Sequence, residues 1–123
     1  DFLRILNYTD LVIFDLKVAN KKLHQKFTGL SNEIILKNLR RISGKDLLIR
    51  IPIVPGYNDT EENMISLSKI ISKLNRVRGV ELIPYNELAE AKYIPDNTRE
   101  YKLKGLKTVS QERLRYLKHF LNL

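Results

Sequence analysis

Two side chains of opposite charge follow the first apolar run of the sequence. Asp15 comes directly after the segment LVIF at 11–14, and Lys17 lies two residues further along. On a β-strand this spacing directs both side chains to the same face, so an anion and a cation meet at the end of the strand. Such a pair either belongs to a ligand site or forms a structural ion pair, and the spacing alone favours neither.

An arginine and a proline interrupt the apolar run LLIRIPIV at 47–54. A buried guanidinium is costly without a counter-charge, so Arg50 requires either a carboxylate partner or an anionic ligand. Pairing with Asp15 is the interpretation that needs no ligand. Pro52 lacks a backbone donor, and prolines within strands lie at edges, at bulges or where a ligand approaches the backbone. The same argument applies to Pro84, which ends a later apolar run.

Asn86 and two histidines complete the polar candidates. The Asn86 amide could bind a ligand, yet an asparagine after Pro-Tyr is more typical of a turn, which these residues alone favour. His24 and His119 fall on predicted helices away from the strand ends, where surface or half-buried structural roles are favoured over catalysis. The sequence contains no Ser/His/Asp set, no paired carboxylates at strand ends and no glycine-rich phosphate loop. These residues therefore predict a chain that lines a ligand site without carrying out its chemistry.

Strand-then-helix units are predicted to position these residues. Apolar runs at 11–14, 47–54 and 80–84 predict strands that are covered on both faces. Their alternation with helical patterns predicts an α/β fold with a parallel sheet and right-handed crossovers. Ligands bind at the carboxyl ends of the strands in such folds, which is where the polar candidates lie. So few strands would need neighbours, and 1–8 is typical of the end of a helix, so we expect the sequence to begin within a larger fold.

Helical patterns follow each predicted strand and begin at polar capping residues. The predicted N-caps are Asn20, Ser31, Asp59 or Thr60, and Ser110. The apolar residues that recur at helical spacing after these caps are Leu23 and Phe27; Ile35, Leu39 and Ile42; Met64, Leu67, Ile71 and Leu74; and Leu114, Leu117 and Leu121. Residues 88–109 form a long polar stretch without a clear period, and such stretches in compact domains are usually functional or disordered. We expect this stretch to cover the site.

The composition predicts one folded unit over 1–123. With 123 residues and 43% hydrophobic content, the chain can bury one modest core. Its apolar runs are far shorter than the roughly 20 residues needed to span a bilayer, and the segment DFLRILNYTD at 1–10 lacks the pattern of a signal peptide. The absence of cysteine removes disulfides and the usual ligands of an iron–sulfur cluster or structural zinc. We therefore expect a cytoplasmic protein that does not span a membrane and whose own residues build no such metal site.

The net charge of +8 raises the expectation of an acidic partner such as nucleic acid or a phosphorylated ligand. The basic residues, however, occur as scattered pairs, mostly on predicted helices, without a single stripe or interleaved aromatic residues. A solvated outer face explains this distribution better. Nucleic acid is therefore not the favoured partner.

Three ordered segments resemble a known enzyme family. The segments DLVIFDLK at 10–17, IRIPIVPGYND at 49–59 and VELIPYNELAEAKY at 80–93 are similar to the later strands of radical S-adenosylmethionine enzymes that activate glycyl-radical enzymes, of the pyruvate formate-lyase activating type. The stretches HQKFTGLSNEIILKNL at 24–39 and EYKLKGLK at 100–107 also resemble this family. The resemblance implies the second half of a six-stranded partial (β/α) barrel. It also implies that the first half, with its cluster-binding cysteines, is absent from 1–123.

The resemblance implies a role for the intact parent protein in anaerobic metabolism. Such an oxidoreductase uses a [4Fe-4S] cluster and an electron donor such as flavodoxin to cleave S-adenosylmethionine reductively. The resulting 5′-deoxyadenosyl radical abstracts hydrogen from a glycine of a partner such as pyruvate formate-lyase. The present half would position the cofactor and the partner loop, would contain no catalytic residue and would be inactive by itself.

The same resemblance implies roles for particular residues. Asp15 and Lys17 match the Asp-Leu-Lys segment, which implies contacts to the ribose hydroxyls and neighbouring polar groups of the cofactor. Arg50 matches a strand arginine near the cofactor, and Pro52 stands where contact with the nucleoside is expected. Asn86 departs from the family, which usually has histidine near the adenine at this position. The stretch that follows Asn86 is expected to face the glycine loop of the partner.

Two other hypotheses follow from the sequence. One is a basic binding module for nucleic acid or a phosphorylated ligand, which strong, salt-dependent binding to arbitrary oligonucleotides would support. The other is a free-standing half-barrel that pairs with itself or with another chain to cover its exposed strands.

Overall fold

Three parallel strands form one sheet in the order β1-β2-β3, as the sequence predicts. The structure is a computed structural model and describes residues 1–42, 44–85 and 107–121. The strands are β1 (Leu11–Asp15), β2 (Asp46–Ile53) and β3 (Val77–Pro84). Strand β3 begins at Val77, three residues before the predicted start at residue 80, since Val77 already pairs with Leu47. A bulge between the pairs of Leu47 and Leu48 accommodates the polar start of this strand.

Five helices are found in the described part of the chain. They are α1 (Phe2–Leu6), α2 (Lys21–Thr28), α3 (Glu33–Arg41), α4 (Glu61–Ile71) and α5 (Gln111–His119). Within the described residues, none of these helices is long and apolar enough to cross a bilayer.

Side-chain oxygens cap three of the helices as predicted. Asn20 accepts a hydrogen bond from the backbone at the start of α2, and Ser110 does so at the start of α5. Of the two candidates for α4, Thr60 is the N-cap, and its side chain accepts from the Asn63 backbone N–H at 3.2 Å. The N-cap position of α3 is Asn32, one residue after the predicted Ser31, although the Ser31 hydroxyl accepts from the Glu33 backbone N–H at 3.2 Å.

The core lies between the helices and one face of the sheet. Along the central strand β2 the side chains alternate between half-buried and buried, and Ile49, Ile51 and Ile53 are 0% exposed. The helices contribute apolar side chains to the same cluster, including Leu39, Met64, Leu67, Ile71, Leu114 and Leu117. Burial of these apolar side chains supplies the main driving force for folding.

The opposite face of the sheet is exposed, and we call it the open sheet face. It carries Leu11, Ile13, Asp15, Leu48, Arg50, Pro52, Gly79, Glu81 and Ile83, which strand pairing places side by side. Leu11 and Ile13 are 49% and 52% exposed. Apolar runs of this kind predict strands covered on both faces, and the described helices cover only one. The open sheet face is therefore accessible to a ligand or to further structure.

A charged cluster joins β2 and β3 at the amino-terminal edge of the sheet. The Asp46 carboxylate accepts a hydrogen bond from Arg76 Nε at 2.8 Å and pairs with Arg78 Nε at 3.0 Å. The hydrogen bond from Arg78, together with Arg76, lowers the pKa of Asp46 below its ordinary value. This cluster lies at the opposite end of the strands from the polar candidates and ties the strands together there.

Candidate functional site

A row of alternating charge crosses the open sheet face near the carboxyl ends of the strands. Asp15 of β1 is the register partner of Arg50 in β2, which is in turn the register partner of Glu81 in β3. Register partners in a parallel sheet present their side chains on the same face. Two carboxylates therefore flank one guanidinium. Sequence reasoning missed Glu81, although a glutamate inside the apolar run VELIP is a detectable signal.

Arg50 forms its ion pair with Glu81, and not with Asp15, which was the ligand-free alternative that the sequence left open. Arg50 Nε lies 3.6 Å from Glu81 Oε2, and the two side chains are 43% and 53% exposed. This distance exceeds that of a charge-assisted hydrogen bond, about 2.7–2.9 Å. Arg50 Nε itself is buried and has no hydrogen-bond partner among the described residues. The guanidinium is thus held by its charge, and within the described residues its Nε–H group is not used in a hydrogen bond.

Asp15 and Lys17 are both exposed at the end of β1. Among the described residues, neither forms an ion pair. The interpretation of these two residues as a structural ion pair is therefore not supported by the geometry. Both line a groove of about 520 Å³ that extends towards the turn between α2 and α3.

Asn58 connects the carboxyl ends of β1 and β2. Its side chain is almost fully buried, with 2% of the residue exposed. Its Nδ2 donates to the Pro52 carbonyl at 2.7 Å and to the Lys17 carbonyl at 3.0 Å, and its Oδ1 accepts from the Val54 backbone N–H at 2.7 Å. In the sequence Asn58 follows Pro55-Gly56, a pair typical of a turn, and a turn explains an asparagine without any tertiary contact.

Two further buried asparagines hold the same region. Asn63 on α4 donates from Nδ2 to the Lys17 carbonyl at 3.0 Å and to the Asn58 carbonyl at 3.1 Å, and its Oδ1 accepts from the Ala19 backbone N–H at 3.0 Å. Asn32 donates from Nδ2 to the carbonyls of Val18 and Ala19 at 3.1 and 3.0 Å. We call Asn32, Asn58 and Asn63 the asparagine cluster. It satisfies the backbone of the segment after β1 and thereby positions Lys17.

The remaining candidates do not join this site. His24 is buried, with 7% exposed, and its Nδ1 lies 2.8 Å from the Leu30 carbonyl, to which it donates. This contact agrees with a structural role, although the side chain is buried rather than at the surface or half-buried as predicted. His119 is exposed on α5. Asn86 lies outside the described residues, as does most of the stretch 88–109 that was predicted to cover the site.

A second groove lies on the helical side of the molecule. It has a volume of about 600 Å³, lies between α2 and α4, and is lined in part by Lys22, Lys26 and Lys69. None of the predicted site residues contributes to it. The basic groove and the open sheet face are therefore separate features.

Comparison with curated proteins identifies relatives that share one kind of activity. The chain is 34% identical over 119 residues to pyruvate formate-lyase 1-activating enzyme of Escherichia coli, and the alignment covers 95% of this chain. It is 34% identical over 125 residues, or 97% of this chain, to pyruvate formate-lyase-activating enzyme of Streptococcus mutans. The chain is homologous to part of the glycyl-radical enzyme activating enzymes. The family resemblance inferred from the sequence motifs is therefore confirmed.

The chain is also similar to an activating enzyme whose name gives a different partner. This chain is 34% identical over 119 residues, or 94% of its length, to trans-4-hydroxy-L-proline dehydratase activating enzyme of Clostridioides difficile. The chain spans about half the length of the first curated relatives it matches, 48% and 46% of the Escherichia coli and Streptococcus mutans proteins.

A solved structure agrees with the fold of this activating-enzyme homologue. The crystal structure of a domain of pyruvate-formate lyase-activating enzyme from Bacteroides vulgatus superposes with a TM-score of 0.75 at 26% sequence identity. The match covers 98% of this chain and 66% of that domain chain. No family model matches the chain.

Proposed function

We propose that the chain is the C-terminal, cofactor-positioning half of a cytoplasmic radical S-adenosylmethionine enzyme that installs a glycyl radical on a partner such as pyruvate formate-lyase. The proposal rests above all on the charged row of the open sheet face, where Arg50 stands between Asp15 and Glu81 with an uncommitted donor. The homology to activating enzymes supports it independently.

The side chains present are chemically suited to S-adenosylmethionine. The buried Arg50 Nε without a partner among the described residues calls for an acceptor, and the cofactor offers a carboxylate and several neutral acceptors. Exposed Lys17 can bind the same anionic end, and exposed Asp15 can accept hydrogen bonds from the ribose hydroxyls. When bound, the cofactor supplies the group that abstracts hydrogen from the glycine of the partner. This chain would hold and orient it.

The nucleoside end of the cofactor would lie against Pro52. This residue is on the open sheet face, next to Ile83 in the strand register, and the pair offers an apolar surface to a ribose or a base. Asn86 would lie near the adenine by family similarity and would bind it through its side-chain amide.

The iron–sulfur cluster of the family does not fit this chain. The 123 residues include no cysteine. In the described ranges, no group of three or more His, Cys, Asp or Glu side chains could hold a metal ion. We propose that the cluster ligands and the docking of an electron donor such as flavodoxin belong to the other half of the parent protein, so this half would be inactive alone.

Substitution of the two cations tests this assignment. In the full-length parent protein, prepared anaerobically with its cluster, Arg50→Gln and Lys17→Met should each weaken S-adenosylmethionine binding by about tenfold to a hundredfold. This range corresponds to the loss of about one hydrogen bond to a charged group. Titration calorimetry measures the affinity, and the electron paramagnetic resonance signal of the glycyl radical on pyruvate formate-lyase measures activity.

Matched controls are available on the helical side. Arg40→Gln on α3 and Lys69→Met on α4 remove the same charges from helices outside the open sheet face and should leave the affinity unchanged. A wild-type protein that does not bind S-adenosylmethionine would rule out the proposed function. Equal weakening by the control substitutions would show that net charge, rather than the charged row, governs binding.

A further inference from the structure

The ladder between β1 and β2 stops at a residue that cannot continue it. Asp15 and Arg50 are the last register partners, and Leu16 N–H donates to the Arg50 carbonyl at 2.8 Å. In a parallel ladder the next donor on β2 is the nitrogen of residue 52. That residue is Pro52, which has no N–H. The ladder therefore lacks the backbone hydrogen bond that would join residue 52 to β1 at this point.

A side chain replaces the missing backbone contact at this point. Asn58 Nδ2 donates to both the Pro52 carbonyl and the Lys17 carbonyl, the latter 41 positions away in the sequence. Asn63 Nδ2 donates to the same Lys17 carbonyl and to the Asn58 carbonyl. Every polar atom of the Asn58 side chain is thus used in joining β1, β2 and the turn after β2. Fully satisfied buried networks of this kind hold one rigid geometry.

The two strand ends that Asn58 joins each carry residues proposed to contact the cofactor. Lys17 lies on one side of the Asn58 amide, and Pro52, two residues after Arg50, lies on the other. We propose that Asn58 is a positioning residue that sets the separation between these two parts of the cofactor site. This inference rests on the proposed function and assigns Asn58 no direct contact with the ligand.

Substitution of Asn58 in the full-length protein tests the inference. Asn58→Asp keeps the shape of the side chain but replaces the donating Nδ2 with an acceptor, which faces two carbonyl oxygens. Asn58→Ala is the second variant, for the case that the buried carboxylate prevents folding. We expect S-adenosylmethionine to bind about tenfold to a hundredfold more weakly to the folded variant, because small displacements of positioning groups have effects of this size.

A stability control separates positioning from general damage. Asp46→Asn weakens the charged cluster at the other edge of the sheet and should lower stability without changing the affinity. A second readout is hydrogen exchange of the Ala19 and Val54 backbone amides in the unliganded protein, which the asparagine cluster protects. These amides should exchange faster in the Asn58 variants and at the wild-type rate in Asp46→Asn.

The outcomes distinguish this inference from the proposed function. Weaker binding together with faster exchange supports a positioning role for Asn58. An affinity that falls no further than in Asp46→Asn, or unchanged exchange at Ala19 and Val54, overturns it. If the wild-type protein fails to bind S-adenosylmethionine while the exchange still responds to Asn58, the structural link stands, and both the proposed function and the assignment of Asn58 to a cofactor site fall.

Discussion

At the scale of single residues, the open sheet face combines apolar side chains with charges of both signs. In the strand register Arg50 lies between Asp15 and Glu81. The distance from Arg50 Nε to Glu81 Oε2 is longer than that of a hydrogen bond. A guanidinium in this setting is oriented by charge and retains donors for a ligand. The Asp46 carboxylate at the other edge of the sheet instead uses both oxygens within the protein.

Asp46 should make the stability of the protein depend on pH. Its pKa in the folded state is depressed below the ordinary value of 3.8 by Arg78 and Arg76, so protonation favours unfolding. This contribution is present above about pH 4 and is lost as the pH falls through the folded-state pKa. Asp46→Asn should therefore lower the free energy of unfolding at pH 7, and the difference from wild type should shrink towards pH 3. Urea unfolding at several pH values measures it.

The control for this prediction is Asp10→Asn. Asp10 is exposed and forms no ion pair among the described residues, so its removal should leave the pH profile unchanged. A difference between wild type and Asp46→Asn that persists undiminished at pH 3 would contradict the electrostatic explanation.

At the scale of elements, each helix begins after a polar residue, and α3, α4 and α5 bury apolar side chains in the core. In α5 the Ser110 hydroxyl accepts from the Arg113 backbone N–H at 3.1 Å, and Leu114 and Leu117 pack into the core. The helix also contacts α4, because Arg113 donates to the Asp59 carbonyl at 2.7 Å and the Tyr116 hydroxyl donates to Glu61. The hydrogen bond to Glu61 raises the pKa of Tyr116. The capped start of α5 is thus joined to the start of α4.

Removal of the α5 cap should destabilise the protein by a small and defined amount. Ser110→Ala should cost about 1 kcal/mol in the free energy of unfolding, because the first turn loses a partner for one of its free N–H groups. Ser110→Asp should restore the stability, since aspartate caps equally well and its charge is favourable at a helix N-terminus. Urea denaturation of the three proteins measures this. Equal losses in both variants would mean that Ser110 acts through something other than capping.

At the scale of the whole molecule, the described helices cover one face of the sheet and leave the other open. The central strand buries its isoleucines under α3, α4 and α5, while β1 leaves Leu11 and Ile13 about half exposed. Apolar surface of this kind on a parallel sheet is normally buried. Homologues about twice as long fit the proposal that further barrel structure covers this face in the parent protein.

The isolated chain of 123 residues should therefore self-associate through the open sheet face. Ile13→Thr should reduce the association, because it removes apolar surface from the exposed strand while keeping a β-branched residue. Sedimentation velocity over a concentration series measures the change. The control is Ile65→Thr, since Ile65 is 41% exposed on α4 rather than on the sheet. A clean monomer at high concentration, or equal effects of both substitutions, would contradict this role of the face.

The sequence by itself determined the elements, their order and the polar residues at the strand ends. Apolar runs and helical periodicity act over a few residues, so they predicted three parallel strands and the helices between them. Local capping chemistry likewise predicted Asn20 and Ser110 as N-caps. Asp15 and Lys17 could be identified because the polar ends of buried strands are visible in the sequence. The family resemblance was carried by the same segments.

Only the tertiary structure decided which of these residues meet. The partner of Arg50 is Glu81 rather than Asp15, because the choice depends on side-chain conformations across three strands and not on the register alone. The role of Asn58 was hidden for a related reason: its contact with Lys17 spans 41 positions, and a turn explained the residue locally. Asn63 contacts the same carbonyl across 46 positions. Hydrogen bonds between distant segments depend on how the strands and helices pack, which local sequence patterns do not encode.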